Sequence, residues 1–319
     1  MQFTNCEISW SSSPTAEWGE RFASVRRSTL PQHHVYARAV RATEQMGARF
    51  GTLSLDGKVS GLVQLGEVGL FGKAIHMLCL DRGPLWFAGV DAGLGNVAFF
   101  REFARQFPKR FGRKVRVIPE WNSSCPRACE VEAFGLCKKP ASEGYKTIWL
   151  DLDPNLETLR SNLSGKWRNV LVKSERSSLV VEEDWSLQTG QSFLLSYDND
   201  RREKGYPGPK VAFVRSLMGF SQASREAVIL NAKLDGKTVA AILVFLHGSS
   251  ATYQVGWTTS SGRKQGAHHL LLWSALGILK DRQILDFDLG GINDDDAPGV
   301  SKFKMGVGGE PVQLAGLFN

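Results

Sequence analysis

Two copies of one short pattern constrain this chain more than anything else in it. Leu55-Asp56-Gly57-Lys58 joins the apolar stretches 49–55 and 59–65, and Leu234-Asp235-Gly236-Lys237 joins 228–234 and 238–245. Asp-Gly between two β-rich runs marks a tight hairpin, because glycine accepts a positive φ there. The order of elements after each hairpin also agrees. In the first copy a strand ends near 81–86, a helix covers about 97–107, and a strand covers 114–120. In the second copy a strand over 251–257 precedes a helix over 268–281 and a strand over 284–289. Helical apolar spacing precedes both hairpins, over 32–45 and 191–204. An ordered match of this many elements is the mark of duplication.

The joint falls near Ser142–Lys146, which separates residues 1–145 from 146–319. A strand over 147–152, a helix opening at 154–160 and a basic helical segment over 164–176 then begin the second half. The last residues, about 15 of them, are expected to pack back on the first half. Each half has the usual size of one domain. The fold class is therefore α+β, two tandem units, each a mixed and mostly antiparallel sheet flanked by helices.

Composition excludes several classes. No apolar run approaches the roughly 20 residues that cross a bilayer, and residues 1–10 have no signal-peptide pattern. A cytoplasmic location is the expectation. The five cysteines are too few and too uneven for a disulfide framework. Cys125, Cys129 and Cys137 lack the CxxC spacing and the nearby histidine of a zinc site, so no metal is expected. Asn293–Asp296 lacks the glycine and distal glutamate of a calcium loop. The net charge of +7 favours polyanionic partners such as RNA or nucleotide-linked substrates.

The succession of elements resembles the GNAT acyltransferase fold. Two such units in tandem resemble the FemABX family of peptidoglycan bridge-forming aminoacyltransferases. Residues 150–153 and 163–169, then Phe287–Ile292, Gly299–Gly306 and Gly308–Glu310, are similar to that family's second domain and C-terminal signature. Val307 departs from it, since an aromatic is usual before Gly-Gly, and there is no coiled-coil arm. The resemblance implies transfer of an aminoacyl group from aminoacyl-tRNA to an amine of a cell-wall precursor. The alternatives are acyl transfer from acyl-CoA and a non-catalytic protein that binds RNA or a nucleotide-linked ligand. No permanently bound cofactor is implied; tRNA or acyl-CoA is a co-substrate. Contact with a membrane surface remains compatible with this reading.

N-acylation needs a neutral amine, a positioned donor carbonyl and a group that stabilises the oxyanion. The resemblance makes Lys304, after Phe303, the first candidate for that group; by context alone it would be a solvated lysine. Asp288 shares a strand face with Asp286 and is a candidate to orient the amine. Lys166, Arg168, Lys173 and Arg176 recur at helical spacing as a phosphate-binding face or a plain solvated one. Tyr206 and Tyr253 are candidates for substrate contact or proton transfer, though strand tyrosines commonly pack. Arg263-x-x-Gly266 partly matches a pyrophosphate loop, with His268 where a small residue is usual. The equivalent Asp91–Asn96 has no basic residue, so donor phosphate is expected on the second unit. His268 and His269 diverge by about 100° on a helix and are read as unable to serve one site. His33 and His34 are read the same way.

Overall fold

The computed structural model describes residues 5–139, 144–295 and 297–319; the side chains of 126, 128 and 129 lie outside that description. Part of the expected joint, residues 142 and 143, the Cys129 thiol and Asp296 therefore fall outside the described residues. The chain divides into two compact units. One comprises Met1–Lys146 with Val312–Asn319, and the other Thr147–Pro311.

The first unit runs β1 (Cys6–Ser11), α1 (Trp18–Ala23), α2 (His34–Glu44), β2 (Gly47–Leu55), β3 (Lys58–Leu70), β4 (Ile75–Gly83), β5 (Leu85–Trp86), α3 (Ala92–Gln106) and β6 (Arg113–Pro119). Its sheet has the order β1-β2-β3-β4-β6, with β5 beside β3. The strands are antiparallel except for the β4–β6 pair. Helix α3 buries Val97, Phe99, Phe100 and Phe103 against Leu53, Val63, Leu65, Leu78, Leu80 and Val117. A separate cluster holds Trp18 and Phe22 of α1 against Phe50, Leu62 and Leu85. The C-terminal residues join the α3 side. Phe318 and Val117 exchange backbone hydrogen bonds of 2.8 and 3.0 Å, and Ala315 and Phe318 are buried in the core.

The second unit runs β7 (Lys146–Asp151), α4 (Leu156–Asn162), α5 (Gly165–Glu175), β8 (Val180–Asp184), α6 (Gly190–Lys204), α7 (Val211–Ser221), β9 (Ala227–Leu234), β10 (Lys237–His247), β11 (Ser250–Thr258), α8 (Ser260–Lys264), α9 (Ala267–Asp281), β12 (Asp286–Asp288), α10 (Pro298–Met305) and β13 (Glu310–Gln313). The strand order is β13-β7-β12-β11-β10-β9-β8. Along β10, Ala240, Ile242, Val244 and Leu246 alternate onto one face, as period 2 requires. There they meet Leu271, Leu272, Ala275, Leu276 and Leu279 of α9, and Trp167 and Leu171 of α5. Full burial of one such leucine is worth about 2 kcal/mol, so α9 is fastened along its length.

Both Asp-Gly hairpins form. Asp56 and Gly57 have φ of 47° and 81°, and Asp235 and Gly236 have 51° and 74°. Two successive positive φ values match the type I′ turn. Mixed sheets flanked by helices bear out the α+β class. One expected element shrinks: the strand foreseen over 284–289 is only Asp286–Asp288. Asp286, Phe287 and Asp288 are all buried, and the chain leaves the sheet at Gly290, with φ 73°. Among the described residues no helix is long and apolar enough to cross a membrane, and no cluster of metal-ligating side chains occurs.

Candidate active site

The site begins where two parallel strands part. β11 and β12 are in register for three pairs only, Ser250↔Asp286, Ala251↔Phe287 and Thr252↔Asp288. β11 then continues to Thr258, held on its other side by β10. The β10–β11 register shifts between Leu243 and Val244, opposite Tyr253 to Val255, so Gln254 is the extra residue of a bulge. A bulge next to a parting strand turns side chains toward the gap and leaves backbone groups of β11 facing it.

Lys304 reaches this gap from α10. Its residue is 6% exposed. Nζ donates to the Gly291 carbonyl at 2.8 Å and stands 5.2 Å from the centre of the Tyr253 ring. Burial pushes the ammonium down to about 8, partly offset by the charge of Asp288. Asp288 is fully buried. Its Oδ1 accepts from the Thr147 hydroxyl and from the Gly290 amide at 2.9 Å. Thr147 also approaches the Gly290 carbonyl, at 3.1 Å. The aspartate thus holds the turn that presents Gly291 to Lys304. Its charge also reaches the lysine.

Tyr253 is packed above the gap, and burial pushes its phenol above the ordinary range. Gly256 makes room for it. A Cβ at Gly256 would meet the Tyr253 hydroxyl at 2.1 Å and His268 Nε2 at 3.2 Å. The hydroxyl and the imidazole therefore share one small space. His268 Nε2 is buried without a hydrogen-bond partner, and burial lowers the ring to about 4, so it is neutral at pH 7. Tyr206 bonds Asp200 Oδ2 at 3.2 Å. Burial first, and then Asp200, raise its phenol.

Phe303 packs on the neighbouring helices. Its ring lies 6.0 Å from Trp167, 4.9 Å from His269 and 6.1 Å from His268. It anchors α10 on α5 and α9, and so places Lys304. The two adjacent histidines both meet the Phe303 ring, and it is His268 that also borders the space of the Tyr253 hydroxyl.

The basic candidates make other contacts. Arg168 turns its guanidinium back on the Ser161 and Leu163 carbonyls, at 2.8 and 2.9 Å. These are orphan acceptors at the end of α4, so Arg168 caps that helix. Lys166 is exposed, and Lys173 bonds the Lys264 carbonyl at 3.3 Å. The segment around Arg263 is a closed turn of helix, unlike the open phosphate loop expected. The amides of Arg263, Gln265 and Gly266 donate to Thr259, Ser261 and Arg263. Arg263 itself bonds the Thr258 carbonyl at 3.1 Å. Gly266 has φ 71°, and a Cβ there would meet Val170 Cγ1 at 2.7 Å. It is a packing glycine between α9 and α5. The structure therefore gathers Lys304, Asp288 and Tyr253, sets Tyr206 on Asp200, and leaves Arg168 and Arg263 to hold local backbone. Thr147, Gly256 and His268 were not singled out as site residues. The available signal was glycine inside a strand pattern, which marks close approach.

Residues 185–305 match the family described as Acetyltransferase (GNAT) domain. No curated protein matches the chain by sequence. Among solved structures, the crystal structure of FemX superposes with a TM-score of 0.80 at 15% identity, covering 97% of this chain and 96% of that one. The C-terminal domain of a putative lysylphosphatidylglycerol synthetase from Agrobacterium fabrum gives 0.55 at 16% identity, over 95% and 91%. A tandem GNAT protein from the clavulanic acid biosynthesis pathway gives 0.52 at 15%, over 98% of each chain. The fold is the tandem GNAT fold, and residues 185–305 within it match an acetyltransferase domain. In architecture the chain is similar to FemX.

Proposed function

We propose that the acyl group is an aminoacyl group delivered by tRNA, and that the acceptor is an amine of a peptidoglycan-type precursor. The observation that carries the reading is the Lys304 ammonium, bonded to Gly291 at the parting of β11 and β12. In the transfer, the neutral acceptor amine attacks the donor carbonyl carbon and a C–N bond forms. Negative charge gathers on the carbonyl oxygen, where a preplaced cation counts for most in a dry site. The intermediate collapses as the ester C–O bond breaks, and the amine proton passes to the leaving alkoxide. Lys304 has three donors, and Gly291 takes one. Tyr253, beside Lys304, and Tyr206 are the candidates to carry the proton. Asp288 holds Lys304 charged.

Three observations favour tRNA as the carrier. The overlay with FemX, at a TM-score of 0.80, is tighter than those with the lysylphosphatidylglycerol synthetase domain and the clavulanic acid pathway protein, at 0.55 and 0.52. The chain carries a surplus of seven positive charges. The amides of the Arg263 turn are spent within it, which leaves few for the pyrophosphate of acyl-CoA. Acyl-CoA is the second reading, favoured by the matched acetyltransferase domain.

The test is transfer from charged tRNA to a lipid- or nucleotide-linked muropeptide by the purified protein, with and without RNase. Product that disappears with RNase supports the reading. RNase-insensitive product, with a thermal shift from acetyl-CoA, turns it to acyl-CoA. No transfer with either donor, and no effect of Lys304→Ala on ligand binding, points to a non-catalytic binding protein.

A further inference from the structure

The first unit carries an exposed apolar tip that its own fold leaves uncovered. Phe71 is 82% exposed and Phe111 fully so; Leu70 and Ile75 are each 53% exposed. They come from two loops separated in sequence, the turn between β3 and β4 and the loop entering β6. Scattered surface apolar residues need no explanation, but a contiguous group with two bare phenylalanines does.

The two loops are built as one piece. The His76 amide donates to the Gly112 carbonyl at 2.8 Å, and the Ala74 amide to the Phe71 carbonyl at 3.1 Å. Arg110 joins them: Nη1 donates to the carbonyls of Ala74 and Phe111, each at 3.2 Å, and Nη2 to that of Lys73. Gly112, at φ 76°, is needed for the approach, since a Cβ there would lie 2.2 Å from the Ala74 oxygen. The tip is therefore preorganised, and carbonyls that would otherwise need water are already bonded. That is the condition for moving a loop into a medium poor in water.

The charge around the tip has one sign. Between 68 and 76 the only charged residue is Lys73. Between 105 and 117 there are Arg105, Lys109, Arg110, Arg113, Lys114 and Arg116, and no acid. Lys109, Arg110 and Lys114 are exposed. Glu67, the acid below the tip, is occupied by Arg49, Lys73 and His76. Exposed aromatic and aliphatic side chains flanked by cations match the acyl boundary and headgroups of an anionic bilayer. RNA would use the aromatics and cations but leave Leu70 and Ile75 in water.

We propose that this tip seats the protein on an anionic lipid bilayer, with Phe71 and Phe111 in the acyl boundary and Lys109, Arg110 and Lys114 at the headgroups. The inference is independent of the acyl donor. The test is co-sedimentation of the full chain with vesicles of phosphatidylcholine, alone and mixed with phosphatidylglycerol. Binding is expected for the mixed vesicles only. Phe71→Ser with Phe111→Ser, both solvent-facing, should weaken it about tenfold or more, with unchanged thermal unfolding. Lys109→Glu with Lys114→Glu should weaken it comparably and abolish the response to phosphatidylglycerol. Failure of the full chain to sediment with mixed vesicles overturns the proposal. So does a double phenylalanine variant that binds as tightly as the parent, or one that loses affinity for tRNA while keeping that for vesicles.

Discussion

The Lys304 ammonium lies over the face of the Tyr253 ring, 5.2 Å from its centre. The lysine comes from the last helix of the second unit and the tyrosine from the strand that borders the gap. Helix α10 is placed by Phe303 on Trp167 and the two histidines. A cation held in this way is available to a developing oxyanion without rearrangement.

Replacing Lys304 should separate chemistry from stability. Lys304→Met is expected to lower kcat by about 10²–10³. Its stability should rise. The folded pKa, about 8, lies below the ordinary 10.5. The unfolded chain therefore holds a proton that the folded one has lost between those values, and burial of the charge costs stability at pH 7. That cost fades as pH rises from 8 to 10.5. A Tm a few degrees above the parent at pH 7, converging at alkaline pH, is the expected calorimetric result.

The rate should follow the same proton. Activity that needs charged Lys304 falls as pH rises through about 8. The charge of Asp288 raises this pKa, so Asp288→Asn should move the alkaline limb of the pH–rate profile to lower pH. A limb that stays in place would mean that Asp288 acts only by holding the Gly290 turn.

Gly256 tests the shared space beneath Tyr253. Gly256→Ala places a methyl 2.1 Å from the tyrosine hydroxyl and should cut activity about tenfold by moving the ring. In Tyr253→Phe with Gly256→Ala the closest clash is gone. If the loss is steric, that pair should be less than additive when kcat/KM is compared around the double-mutant cycle.

Glu67 gives a prediction at low pH. Burial opposes its ionisation, but bonds to Arg49, Lys73 and His76 hold the carboxyl at about 2. Its stabilisation is fully present above the ordinary value of 4.5 and is lost as pH falls toward 2. Glu67→Gln should cost about 1–3 kcal/mol at pH 7. The gap to the parent should close on acidification, as read by urea unfolding at a series of pH values.

Arg168 separates a cap from a phosphate contact. Arg168→Gln should cost about 1 kcal/mol by freeing the carbonyls of Ser161 and Leu163. The salt dependence of tRNA binding should be unchanged, because a lost phosphate contact would lower its slope.

Much of this was legible in the chain. Leu-Asp-Gly-Lys fixed two hairpins because its signal is local, and the structure shows the positive φ values it calls for. Phe303-Lys304 was legible only through resemblance, since nothing in its neighbours announces a buried ammonium. The basic run misled because helical spacing reports which side chains share a face, and says nothing of which carbonyls await them. Arg168 found the end of α4 and Lys173 the end of α8. The joining of Tyr253, Gly256 and His268 depends on a bulge and a helix start that meet only in the folded sheet.

The last residues of the first unit follow the entire second unit in the chain. Ala315 and Phe318 fill its core, and Phe318 closes a ladder with Val117. On the ribosome, the half of the protein that is made first must wait with an open flank until the other half has been synthesised. The unit that carries the exposed Phe71 and Phe111 is thus the one whose core closes only after the second unit has been made.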